Sequence, residues 1–135
     1  MNKTIALINL TRSLVGIDVT PENLASNDVA CAESVSKILH LLLGFPLGIL
    51  STADLKKELV RSKLFIEVKE PKAGCVVVSP RTKSIVGHTG IYITDKDIVS
   101  NDSKSGRMEK NYTTASWKKT FEKGRKLSTF YYILK

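Results

Sequence analysis

Two residue types able to start nucleophilic chemistry at an acyl carbon are scarce in this sequence: two cysteines, Cys31 and Cys75, and two histidines, His40 and His88. A thiol becomes a useful nucleophile when an imidazole takes its proton, and the imidazole can later hand that proton to a leaving amine. Cys31 shares a helical stripe with Val35, Ile38, Leu39 and Leu42, near the expected start of a helix capped by Asn27 or Asp28. In a first helical turn, unpaired N–H groups and the positive dipole end favour a thiolate, and they can also stabilise an oxyanion. The same stripe fits a small buried hydrophobe equally well. Cys75 begins an apolar run to Val78 and reads as structural.

Between the two imidazoles, His40 lies nine residues after Cys31, which is the opposite side of that helix. His88 opens a strand in Gly87-His88-Thr89-Gly90-Ile91-Tyr92, where small neighbours would leave room for a substrate, so Gly87 and Gly90 are candidate binding positions. A base also needs a group to orient it. If Asp95-Lys96 forms a two-residue turn, Thr94 faces Asp97, His88 faces Ser103, and Asn101 falls diagonally beside His88. A loop longer or shorter by one residue presents Ser100 or Asp102 instead. Asn101 is the favoured candidate, because a neutral amide can hold one imidazole nitrogen while the other faces the thiol.

These side chains need a scaffold. Thr4 is the expected cap of a first helix reaching about Val15, with Leu7, Leu10 and Leu14 on one stripe and Gly16 and Pro21 beyond its end. The Cys31 helix follows, then a short helix carrying Leu55 and Leu59 after the capping signal Ser51-Thr52-Ala53-Asp54. Strand patterns then cover residues 64–68, 75–78, 90–93, 98–99 and 128–134. Helices segregated ahead of a meandering antiparallel sheet predict an α+β fold, one domain over residues 1–135, with the Cys31 helix across one sheet face.

A chain of 135 residues, 42% hydrophobic and 25% charged, suits one globular core. No apolar run approaches the roughly 20 residues of a membrane span, and the best candidate, Ile38 to Leu50, is broken by Gly44, Pro46 and Gly48. The start reads poorly as a signal peptide, since Arg12 interrupts its apolar run. Production in the cytoplasm is therefore expected. Two cysteines make no disulfide framework, and no metal-ligand cluster, phosphate loop or dinucleotide fingerprint is evident, so neither metal nor cofactor is expected. The net charge of +8 favours a polyanionic partner. Much of it lies at Arg107, Lys110, Lys118, Lys119, Lys123, Arg125 and Lys126, with Trp117 and Phe121 between them, a pattern that also fits a solvated face over core aromatics.

Cys31 at a helix start, the Gly74-Cys75-Val76-Val77 strand, Gly87-His88-Thr89-Gly90-Ile91-Tyr92 and the polar strand end at Asn101 together resemble the CHAP and NlpC-type cysteine peptidase and amidase superfamily. The likeness spans residues 27 to 102, and the polar loop through Tyr112 and Trp117 resembles small phage and bacterial members. NlpC-type relatives often carry histidine where this chain has Ser100. The resemblance implies a papain-like α+β fold, cleavage of an amide in peptidoglycan, and a Cys-His-polar triad at Cys31, His88 and Asn101. It also implies a substrate-side place for Trp117, and the net positive charge is consistent with docking on an anionic cell-wall polymer. Action on the wall would then follow lysis, secretion or phage delivery. Rival readings are an idle wall-binding module, a thiol enzyme acting on another amide or thioester, and a nucleic-acid binder, which rests on charge alone and is disfavoured.

Overall fold

The computed structural model describes residues 2–21 and 27–135, without the side chains of residues 27 and 28. Three helices precede the sheet: α1 (Lys3–Ser13), α2 (Asn27–Leu43) and α3 (Thr52–Arg61). The cap of α1 is Asn2, whose side chain accepts from the backbone of Thr4 and Ile5; Thr4 is already helical. That helix stops at Ser13, short of Val15, and Gly16 takes a positive φ of 85° that a side chain would resist. Ser51 caps α3 as its sequence suggests, accepting from the backbone of Asp54. The expected caps of α2 fall among side chains outside the described set.

Six antiparallel strands follow: β1 (Phe65–Val68), β2 (Val76–Ser79), β3 (His88–Tyr92), β4 (Asp97–Asn101), β5 (Met108–Thr113) and β6 (Phe130–Leu134). Their spatial order is β1-β6-β2-β3-β4-β5. The meander is thus real for β2 to β5, while β6 inserts between β1 and β2. Strand β5 carries no apolar alternation in Met-Glu-Lys-Asn-Tyr-Thr, which is why sequence patterning misses it. Between β5 and β6 the chain forms α4 (Thr114–Trp117), capped by Thr113 in a capping box with Ser116, and continues as a π-helical segment, Lys118–Gly124.

Alternation along the strands divides the core in two. On one face Val76, Val78, Ile91, Ile93, Val99 and Tyr132 pack with Leu7, Val35, Ile38, Leu39, Leu55 and Leu59 of the first three helices. Helix α2 lies over β3 and β4. On the other face Cys75, Val77, Tyr92, Ile98 and Tyr131 pack with Trp117, Phe121 and Leu127. The C-terminal basic run splits accordingly: its aromatics are core, while Lys118, Lys119, Lys123, Arg125 and Lys126 are exposed. No helix among the described residues is long and apolar enough to cross a membrane.

Candidate active site

The turn after β3 sets the partner of His88. Thr94 Oγ1 accepts from the backbone N–H of Lys96 at 3.1 Å and of Asp97 at 2.8 Å, which draws Thr94 into the loop. The strand ladder begins one residue earlier, with Ile93 N–H donating to Asp97 at 2.9 Å. Ile91 therefore faces Val99 and Tyr92 faces Ile98. This is a three-residue loop, one more than the two-residue turn that would put Asn101 beside the imidazole. Ser100 takes that diagonal position, and its Oγ lies 2.9 Å from His88 Nε2.

Asn101 points elsewhere. It shares strand parity with Val99 on the helix-covered face, is 3% exposed, and its Oδ1 is buried with no hydrogen-bond partner among the described residues. Ser100, rather than Asn101, is thus the β4 side chain bonded to His88, and a further group stands behind it: Ser100 Oγ donates to Asn111 Oδ1 at 2.7 Å. Because the serine proton is spent on Asn111, the proton between His88 and Ser100 belongs to Nε2. His88 Nδ1 is then the unprotonated nitrogen, the one able to act as a base. Asn111 sits on β5, so only recognition of that strand would have brought it into view.

Rings enclose this imidazole. Trp117 stacks at 5.4 Å between centroids with an interplanar angle of 27°, and Phe121 at 5.3 Å and 22°. Tyr112 meets its edge at 5.7 Å. Trp117, expected on the substrate side, is 1% exposed and instead forms a wall of the histidine's pocket, with its indole N–H donating to Ser79 Oγ at 2.9 Å. Burial pushes the His88 pKa down to about 4; the Arg125 charge adds to this, and Asp102 opposes it. His88 is therefore neutral at pH 7.

A cavity of about 400 Å3 opens here, lined in part by Gly87, His88, Asn101, Asp102, Tyr112 and Arg125. Gly87 also lines a smaller cavity of about 70 Å3 with Val29 of α2 and Ser51 and Thr52 at the start of α3. Val86 and Gly87 line both cavities. A side chain at 87 would collide with the Ser79 carbonyl oxygen and Thr52 Oγ1, so this glycine is required for packing. Gly90 is buried rather than substrate-facing: a Cβ there would come within 2.8 Å of Ile98 Cγ2 and of the Val99 carbonyl oxygen, and 3.1 Å of Ser100 Cβ.

Cys31 is 1% exposed and is the fifth residue of α2, beyond the first turn where helix-end stabilisation of a thiolate is strongest. It lines neither cavity, and no hydrogen bond joins it to His88 among the described residues. The helix bearing it packs on the strands bearing His88 and Ser100, but His88 turns its ring to the opposite face of the sheet. Cys75 is buried, burial raises its pKa, and it forms no disulfide with Cys31. His40 bonds the Phe45 carbonyl oxygen at the far end of α2. The described residues contain no group of three histidine, cysteine, aspartate or glutamate side chains that could hold a metal.

No family model matches this sequence, and no curated protein does. Among solved structures, a chain of the type VI native effector-immunity complex Tae3-Tai3 from Ralstonia pickettii is similar, with a TM-score of 0.59 and 18% identity, covering 96% of this chain and 96% of that one. Helices packed on an antiparallel sheet, in the papain-like α+β arrangement, are thus the fold of this protein, shared along nearly its whole length with a chain of that effector-immunity complex.

Proposed function

We propose that this chain is a cysteine hydrolase that cleaves an amide bond of bacterial peptidoglycan, with Cys31 as nucleophile and His88 as base. The observation that carries the reading is the hydrogen-bonded line His88–Ser100–Asn111, which leaves Nδ1 unprotonated at a cavity of substrate size. The likeness to a chain of a type VI effector-immunity complex supports it and favours delivery by a secretion machine. In the reaction, the Cys31 sulfur attacks the amide carbonyl as His88 Nδ1 takes the thiol proton. The imidazolium returns that proton to the departing amine, and water activated by His88 then hydrolyses the thioester. Cys31 and the His88 ring lie on opposite faces of the sheet, so contact between sulfur and Nδ1 requires α2 to shift towards the segment at Val86 and Gly87, which lines both cavities.

Digestion of purified sacculi by wild-type, Cys31→Ala and His88→Ala proteins, with fragments identified by mass spectrometry, tests this. Release by the wild type alone is expected and names the bond. Equal release by all three would assign the cleavage to other groups. The burial of Cys31 favours a second reading, an idle wall-binding module. Binding to sacculi without release by any of the three proteins would be its signature.

A further inference from the structure

The cavity beside His88 carries an arginine that, among the described residues, forms no ion pair. Arg125 follows the π-helical segment, its backbone N–H bonded to the Thr120 carbonyl at 3.1 Å. Its guanidinium is fixed twice, by donating from Nη1 to the Val86 carbonyl at 3.1 Å and by lying 4.9 Å from the Phe121 ring centroid. Among the described residues no acidic side chain pairs with it. Asp102 also lines the cavity, but its Oδ2 accepts from the backbone N–H of Lys104 at 3.0 Å and of Ser105 at 2.9 Å. An arginine tethered at one nitrogen, with N–H groups to spare, can receive a planar anion at a reduced ordering cost.

We propose that Arg125 is the carboxylate-binding residue of this cavity and selects stem peptides that carry a free carboxylate beside the bond to be cut. This rests on the peptidoglycan reading above and gives it a substrate class: acidic stem peptides over their amidated forms. A carboxylate seated on Arg125 also cancels the positive field that the guanidinium exerts on His88.

The probe is the synthetic tripeptide L-alanyl-γ-D-glutamyl-meso-diaminopimelate, with two relatives amidated singly at the glutamate α-carboxylate or at the carboxylate of the diaminopimelate stereocentre joined to glutamate. Calorimetric binding to Cys31→Ala protein separates recognition from turnover. The free acid is expected to bind about tenfold more tightly than one of the two amides, as befits a hydrogen bond to a charged group. That amide identifies the carboxylate recognised. The difference should vanish when Arg125→Gln is added and persist in part with Arg125→Lys; circular dichroism checks that each variant is folded. Equal affinity for all three peptides, no binding at millimolar concentration, or discrimination that survives Arg125→Gln would overturn the proposal. Turnover of the same peptides by the Cys31 form is read separately. Cleavage without discrimination sinks the Arg125 site and leaves the hydrolase standing, whereas discrimination without cleavage does the reverse.

Discussion

Protonating His88 in the folded chain puts a charge against the Trp117–Phe121 pair, with the Arg125 cation already nearby. The unfolded chain has no such obstacle and takes up the proton near pH 6.5. As pH falls from about 6.5 towards the folded value of about 4, the unfolded state gains a proton that the folded state refuses, and stability declines. Across that window the loss is on the order of 3 kcal/mol. Urea unfolding at pH 7 and pH 4.5 should show it, and His88→Phe, which keeps a ring in the stack, should remove most of the difference. Ser100→Ala strips the imidazole of its orienting acceptor; kcat on peptidoglycan is expected to fall about 10- to 100-fold with KM little changed. Asn111→Asp, which retains an acceptor for the Ser100 hydroxyl, should keep more activity than Asn111→Ala. At this scale the sequence exposes Cys31 and His88 through residue type and local pattern. It leaves Ser100 and Asn101 undecided, because the choice depends on whether the Thr94 hydroxyl joins the turn, and Asn111 lies on a polar strand with no periodic signal.

Elements hold those side chains in register, and two small residues separate register from simple stability. Gly90→Ala would drive a methyl group into Ile98 and the Val99 carbonyl, pushing β4 away from β3 and carrying Ser100 with it. We expect a cost of about 1–3 kcal/mol and a loss of activity larger than the loss of folded protein. Ser51→Ala removes the cap of α3 and should cost about 0.5–2 kcal/mol in thermal or chemical unfolding. Its effect on turnover, measured well below the melting temperature, should be small, because the cap bonds only to Asp54 of its own helix. Helices α1 to α3 were legible from their apolar stripes, and α3 from its cap as well, because these signals lie within one or two turns of chain. The π-helical segment was not. Its five-residue hydrogen-bond spacing, seen in Arg125 N–H to the Thr120 carbonyl, goes with the packing of Trp117 and Phe121 against the sheet.

For the whole molecule, the net charge of +8 and the exposed lysines around the π-helical segment predict salt-sensitive attachment to anionic wall polymer. Sedimentation with sacculi should show less bound protein at 500 mM than at 50 mM salt, and equal binding at both would remove charge as the basis of docking. The fold class was legible because helices come first and strands after, a segregation that survives errors of a residue or two at every boundary. The place of β6 was not, since pairing between distant strands leaves no mark on either segment alone. Strands β1 and β2 are neighbours in sequence but not in space, and residues 130–134 fill the gap between them, pairing with both. The sheet is therefore a lock whose central bar is inserted late: as the chain emerges from a ribosome, β2 to β5 can pair as they appear, yet β1 has no partner until β6 is made. A nascent chain halted before Phe130 would expose the open edge of β2, a surface for chaperones or for aggregation, and the complete sheet would appear only once residues 130–134 have been made.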